Sequence, residues 1–212
     1  DQASRMERAR ELGFDTDRTW YHGTGRTFDE FDLSSEKVTG GGLNDQGVFV
    51  TSDPKVASRY AEDFGGDSPS VMPLYSSATH PLPMPPALFN RLQKVSGQVR
   101  RGEPISEIDS VFLQDDLAAL GVKWDGASHP IEAIKSAGFD AIDKDAGRYG
   151  LSEQERMIFD PSHIRSVNAA FDPTKADSSN LLARYFSPSA ADYDTLLRAN
   201  EAGHAPKPLP ER

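Results

Sequence analysis

The sequence of 212 residues contains no cysteine. This absence excludes disulfides, thiolate nucleophiles and zinc sites built on cysteine. It is typical of a reducing compartment, although a chain without cysteine also withstands oxidation. No run of 18 or more apolar residues occurs either, so we expect no segment that spans a membrane and no membrane partner.

Positive charge is also scarce. Lys and Arg total 23 against 33 Asp and Glu, which gives a formal net charge of −10. An acidic chain repels phosphate backbones, so this balance disfavours non-specific binding to nucleic acid. Among macromolecules, we therefore expect a protein partner rather than DNA or RNA.

Most common catalytic motifs are missing. The five histidines form no H-E-x-x-H, and neither a P-loop nor a G-x-S-x-G occurs. Gly23-Thr24-Gly25 has Phe28 where a dinucleotide fingerprint needs its third glycine. Asp143 and Asp145 suggest a calcium loop, but Arg148 occupies its obligatory glycine position. We expect no metal site.

The apolar spacing predicts a mixture of short strands and helices in irregular order, which favours an α+β fold. Strands are predicted at 19–22, 47–51, 71–75, 139–142, 156–159 and 164–167, and helices at 3–12, from Pro54 onward, at 87–99, at 106–120 and near 130–138. Polar loops are expected at 34–46 and 143–154, an irregular crossing with four prolines at 79–86, and a helix at 181–186. The predicted organisation is an N-terminal helix (1–14), one domain (15–175, with a helical insertion at about 87–137) and a C-terminal extension or tail (176–212). Because the chain starts without Met, we expect it to be part of a larger polypeptide.

Three short stretches contain residue types that catalytic and ligand-binding sites commonly use. Tyr21-His22-Gly23-Thr24 ends an aromatic strand, Gly47-Val48-Phe49-Val50-Thr51 leads into a helix that carries Tyr60, and Glu153-Gln154-Glu155 opens a late strand. In this order they resemble the ADP-ribosyltransferase superfamily, in the branch with a His–Tyr–Glu signature shared with poly-ADP-ribose polymerases. Residues 157–164 and 167–173 resemble the C-terminal part of such domains in phage and prophage polyvalent proteins. The resemblance covers about residues 15–175 and implies a split, strongly bent β-sheet with flanking helices.

The resemblance assigns NAD-binding roles to five residues. His22 would hydrogen-bond the adenosine-side ribose of NAD, and the Gly23 backbone would pair with the nicotinamide carboxamide, with Thr24 in the same turn. Phe49 and Tyr60 would enclose the cationic nicotinamide ring, which aromatic faces attract. Two departures from the family pattern bear on NAD affinity. Phe49 lacks the hydroxyl of the usual tyrosine, and Ala57 stands where a serine is common.

Glu155 is the catalytic residue that the resemblance implies, because its carboxylate would stabilise the cation formed as nicotinamide leaves. Glu153 lies two residues earlier and would face the same side of an extended chain. We hypothesise that Glu153 orients a guanidinium acceptor for attack. Lys144, Arg148 and Tyr149 occupy the place of the family's target-recognition loop, a role that the resemblance implies for Arg148 and Tyr149 above all.

The activity implied is mono-ADP-ribosylation of a protein in the cytoplasm of a host or target cell, as a phage or bacterial effector or toxin would perform it. Water as acceptor would instead make the chain an NAD glycohydrolase. An inactive binding or adaptor module is the alternative of another class. Structural roles also stay open, because Phe49 suits a core strand, Tyr60 belongs to an apolar helix stripe, and Lys144, Arg148 and Tyr149 suit a solvated loop.

Overall fold

The computed structural model describes residues 1–34, 43–63, 66, 68–145 and 154–182. Within these ranges the helices are α1 (Gln2–Glu11), α2 (Pro54–Asp63), α3 (Pro86–Arg100), α4 (Glu107–Ala119) and α5 (Pro130–Ser136). The strands are β1 (Asp15–Thr24), β2 (Val48–Thr51), β3 (Ser70–Ser76), β4 (Pro81–Met84), β5 (Ala141–Asp145), β6 (Gln154–Ile158) and β7 (Ile164–Ser166). None of the described helices is long and apolar enough to cross a membrane.

All seven strands form one bent sheet in the order β4-β5-β6-β2-β1-β3-β7. The pairing is weakest at its centre, where β1 and β2 meet only at Tyr21 and Thr51. On either side the ladders are continuous, because β2 pairs with β6 along its whole length and β1 pairs with β3 from Trp20 to Thr24. The sheet is therefore split between β1 and β2, and the predicted α+β fold with a split, bent sheet is confirmed.

Helix α2 forms where local sequence predicts it. The Asp53 carboxylate caps it by accepting from the backbone N–H of Lys55 at 2.8 Å, and Pro54 fills the first turn, where its missing N–H has no cost. Its buried face consists of Val56, Ala57 and Ala61, which pack on the sheet. The cap and the apolar spacing together direct this helix across β1.

Successive side chains along each strand point to opposite faces of the sheet, so the strands contribute apolar side chains to two cores, one on each face. One core joins α3, α4 and α5 to β4, β5 and β6, through residues such as Leu82, Leu92, Leu113, Leu117, Ile134, Ile142 and Met157. The other lies beneath β1, β2 and β3 and includes Trp20, Val48, Val50, Leu74 and Ile158. The helices of the predicted insertion therefore pack against one face of the sheet.

Two strand predictions need correction. Residues 79–86 were expected to cross irregularly, but Pro81–Met84 form β4, parallel to β5. Its prolines are tolerated because β4 is an edge strand and needs partners on one side only. Strand β5 begins at Ala141 rather than Phe139 and continues through Asp145, so Lys144 lies in a strand and not in a solvated loop.

The N-terminal helix and the last described segment are held by arginines. Arg5 donates to the carbonyls of Val167 and Ala169, at 2.5 and 3.1 Å. Arg165, 2% exposed, donates to the carbonyls of Ser162, Ile164, Lys175 and Ala176. The last described residues, Leu181 and Leu182, form a turn, and the rest of the helix predicted at 181–186 lies outside the described residues.

Candidate active site

Glu155 is the centre of the candidate site. It is the second residue of β6, and only 5% of it is exposed. Its Oε1 accepts a hydrogen bond from the Tyr60 hydroxyl, and its Oε2 lies 2.5 Å from the ammonium nitrogen of Lys144. Oε1 is thus hydrogen-bonded, whereas Oε2 is paired with a cation but accepts no hydrogen bond from the described residues. The ion pair offsets part of the large cost of removing the carboxylate charge from water.

The sheet register places Lys144 beside Glu155. The two residues are direct cross-strand partners on β5 and β6, so their side chains share a face. The Lys144 ammonium also lies 4.7 Å from the ring centroid of Phe89 on α3, and 20% of its side chain is exposed. Sequence reasoning placed Lys144 in a solvated loop, because nothing local reveals the register between the two strands.

Aromatic rings border the same carboxylate. Tyr60 reaches it from α2, and Phe49 lies on β2 two residues before Thr51, the cross-strand partner of Glu155. Residues two apart in a strand share a face and are separated by about 7 Å. The Phe49 ring packs edge-to-face on Phe89, with centroids 6.2 Å apart. We call Phe49, Tyr60, Phe89, Lys144 and Glu155 the Glu155 cluster.

His22 contacts this cluster through the main chain of Phe49. Its Nδ1 lies 2.7 Å from the Phe49 carbonyl oxygen, where β1 and β2 separate, and its ring packs edge-to-face on Phe31. Alternation gives His22 and Trp20 one face of β1 and gives Tyr21 and Gly23 the other. The imidazole therefore approaches the cluster across the split between the strands and not from the face that Glu155 occupies.

The contact with Phe49 also fixes the tautomer of His22. A carbonyl oxygen can only accept, so Nδ1 carries the proton and Nε2 of the neutral ring is an acceptor. Burial lowers the pKa of His22 below its ordinary value of 6.5, and the hydrogen bond with the Phe49 carbonyl opposes that shift only in part. A neutral imidazole with Nε2 as acceptor suits a ribose hydroxyl.

Gly23 is required by packing, whatever it does for a ligand. A Cβ at this position would lie 1.8 Å from the carbonyl oxygen of Ala57 and 2.9 Å from the backbone nitrogen of Ala61, both on α2. Only a glycine lets the helix lie this close to the strand. The Thr24 hydroxyl is used locally, since it accepts from the backbone N–H of Arg26 at 3.1 Å.

A polar network holds the start of β6. The Arg156 guanidinium pairs with both oxygens of Asp143, at 2.6 and 2.8 Å, and the Gln154 side-chain amide donates to Asp143 at 2.7 Å. Arg18 donates to the Gln154 side-chain carbonyl. Because Gln154 and Arg156 alternate with Glu155, anchoring them on one face presents Glu155 on the other.

The remaining predicted site residues, Arg148, Tyr149 and Glu153, lie outside the described residues, and their roles stay predictions. Among the residues that are described, no group of three or more histidines and carboxylates is placed to hold a metal ion. The structure thus brings Phe49, Tyr60 and Glu155 together and links His22 to them through one carbonyl.

Comparison with known proteins identifies the family. The family model described as ADP-ribosyltransferase in polyvalent proteins matches residues 18–174, from β1 to beyond β7. No curated protein and no solved structure matches the chain. The family uses NAD as its substrate, and the matched range includes the whole Glu155 cluster. The chain therefore belongs to the family of ADP-ribosyltransferases in polyvalent proteins.

Proposed function

We propose that this chain is a mono-ADP-ribosyltransferase that cleaves the bond between nicotinamide and ribose in NAD and transfers ADP-ribose to a protein. The contact of Tyr60 with the buried Glu155 carboxylate carries this proposal. It joins the second aromatic residue and the glutamate of the family pattern, which are 95 positions apart in the sequence. A charged carboxylate kept largely from water beside an aromatic hydroxyl suits the stabilisation of a transient cation.

The chemistry requires little of the protein beyond binding and electrostatics. Nicotinamide leaves with the electron pair of its bond to the ribose C1′ and becomes neutral, while positive charge develops on the ribose. The Glu155 carboxylate stabilises that charge, and a lone pair of the acceptor then forms the new bond to C1′ as the acceptor loses a proton. A carboxylate offers about four acceptor positions. Tyr60 engages one position on Oε1, and Oε2 is ion-paired with Lys144 but accepts no hydrogen bond from the described residues, so a ribose hydroxyl can also donate to Glu155.

The residues around Glu155 fit NAD in chemical terms. The rings of Phe49 and Tyr60 suit a cationic nicotinamide, and the acceptor nitrogen of His22 suits a ribose hydroxyl. Ala57 offers only a methyl group, so carboxamide recognition falls to main-chain groups where β1 leaves β2 at Gly23. Because Glu155 is only 5% exposed, we expect a neighbouring side chain to move when NAD binds.

The direct test measures nicotinamide release from NAD and, with label on the adenylate, transfer to proteins of a lysate. Glu155→Gln keeps the size of the side chain but removes its charge, and we expect kcat to fall about 100-fold to 1,000-fold, as for loss of one preorganised electrostatic group. Glu62→Gln, the same change at an exposed position of α2, is the matched control and should retain wild-type activity.

The other outcomes separate the alternatives. Nicotinamide release without labelled protein would indicate an NAD glycohydrolase. Absence of both cleavage and NAD binding at millimolar NAD would refute the proposal and favour an inactive binding or adaptor module.

The acceptor side of the proposal rests on sequence. A net charge of −10 favours a protein over a nucleic acid, and Glu153 is our candidate for orienting an arginine. Glu153→Ala should abolish protein labelling while NAD cleavage continues, and loss of both would contradict that role. We propose further that Arg148 and Tyr149 contact the acceptor. On the same resemblance, we propose that the chain acts in the cytoplasm of a host or target cell, as part of a larger phage or bacterial polypeptide.

A further inference from the structure

Lys144 lies between an aromatic ring and the proposed catalytic carboxylate. Its ammonium nitrogen is 2.5 Å from Oε2 of Glu155 and 4.7 Å from the ring centroid of Phe89. Phe89 is 3% exposed and belongs to the core that joins α3, α4 and α5 to β4, β5 and β6. The ammonium is therefore held by two attractive contacts, one with the carboxylate and one with the Phe89 ring.

The backbone fixes this arrangement. Lys144 and Glu155 face each other directly across β5 and β6, and the network of Gln154, Asp143 and Arg156 anchors the same two strands from the opposite face. The strand register therefore keeps the Lys144 backbone directly beside that of Glu155. With Tyr60 on Oε1 and Lys144 on Oε2, both oxygens are held.

We propose that Lys144 is a positioning residue for Glu155, which fixes the plane of the carboxylate in advance of the reaction. This inference rests on the proposed function. A glutamate side chain has three rotatable bonds, and electrostatic stabilisation is effective only when the charge is held where positive charge will develop. Tyr60 alone restrains one oxygen and leaves the carboxylate free to turn about that bond.

The positive charge of Lys144 has a second, opposing effect. An ammonium near the ribose repels the cation that forms there, so a lysine that only neutralised Glu155 would slow the reaction. Positioning dominates if the carboxylate stays between the ammonium and the ribose. The contact of the ammonium with the Phe89 ring favours that arrangement because it restrains the lysine side chain. When the charge of Lys144 is removed, loss of positioning should lower kcat, whereas loss of repulsion should raise it.

The test compares kcat and KM for NAD cleavage in the full chain. Lys144→Met keeps most of the side-chain length and the packing on Phe89 but removes the ammonium. We expect kcat to fall about 10-fold to 100-fold, as when a reacting group is misplaced by up to about 1 Å. We expect KM to be unchanged, and Lys144→Arg, which restores the charge and the donors, to recover most of kcat.

Lys135→Met is the matched control. Lys135 also pairs with a glutamate, Glu132 at 2.9 Å, and lies 5.7 Å from the ring centroid of Phe159, but it is on α5 away from the Glu155 cluster. Its kcat and KM should equal those of the wild type. If Lys144→Met does not fold, as judged by circular dichroism and thermal unfolding, Lys144→Gln replaces it with the same expected result.

Three outcomes would overturn the positioning role. A kcat at or above the wild-type value in Lys144→Met would show that the carboxylate needs no such support or that the ammonium opposes the reaction. A rise in KM alone would show that Lys144 binds NAD. A wild-type chain that cleaves no NAD would refute the proposed function together with this role, whereas an active wild type with a fully active Lys144→Met would refute this role alone.

Discussion

Substitution of Gly23 by alanine tests whether the site depends on the close approach of α2 to β1. The added Cβ would lie 1.8 Å from the Ala57 carbonyl oxygen, whereas ordinary contact begins at 3.4 Å, so the helix would have to retreat by about 1.6 Å. The obstructing atoms belong to backbone and cannot rotate away. Because α2 also carries Tyr60, a shift of this size would break its hydrogen bond with Glu155.

Two opposing effects set the change in the free energy of unfolding that Gly23→Ala should cause. Overpacking costs about 1–3 kcal/mol, and the rigid backbone contact at Gly23 places this variant at the upper end. Alanine also restricts the unfolded chain, which recovers about 0.4–1 kcal/mol. We therefore expect Gly23→Ala to lower the free energy of unfolding by about 2 kcal/mol and to reduce NAD cleavage.

Urea unfolding measures this change, and Gly97→Ala on α3 is the control. A Cβ at Gly97 would meet only the flexible end of Arg101, at 3.1 Å, and alanine is favoured over glycine inside a helix by about 0.5–1 kcal/mol. The same chemical change should thus stabilise the protein at 97 and destabilise it at 23. Wild-type stability in Gly23→Ala would refute the packing argument. If that variant were stable but no longer bound NAD, the nicotinamide contact would be the reason for the glycine.

Two further predictions concern stability. Arg165→Met removes the donor from four carbonyls in buried or partly buried hydrogen bonds and should lower the free energy of unfolding by about 1–3 kcal/mol. Arg101→Met, at an exposed position, should change it by less than about 0.5 kcal/mol in the same urea assay. Burial lowers the pKa of His22 and of His129, so below their ordinary value of 6.5 the unfolded chain binds more protons than the folded one. Stability should therefore fall as the pH is lowered from about 7 to about 5, and the fall should be shallower in His22→Asn. An equal pH dependence in the two proteins would contradict the assignment to His22.

Elements encoded by neighbouring residues were predictable from sequence. Helix α2 follows from the Asp53 cap, Pro54 and the apolar spacing, and Val48–Thr51 form β2 because β-branched and aromatic residues suit a buried strand. The prediction of an irregular crossing at 79–86 was wrong, because prolines argue against a strand only when both of its edges must pair. The sequence does not reveal that β4 lies at an edge of the sheet.

The candidate site was predictable only in its parts. The family resemblance named Tyr60 and Glu155, and the structure shows their contact. Lys144 was predicted to lie in a solvated loop, because its pairing with Glu155 depends on the register of β5 and β6, which no local pattern encodes. The sequence also does not show that α2 passes directly over Gly23. The glycine was therefore attributed to contact with the nicotinamide carboxamide and not to packing against α2.

A crystal structure of Glu155→Gln with NAD tests the central claim most directly, because we expect the substitution to slow cleavage and so to leave the dinucleotide intact. We predict that the nicotinamide ring lies between Phe49 and Tyr60, that a hydroxyl of the adjoining ribose is within hydrogen-bond distance of the side chain at position 155, and that His22 contacts the other ribose. NAD bound away from these side chains, or no NAD bound at millimolar concentration, would contradict the assignment of this site.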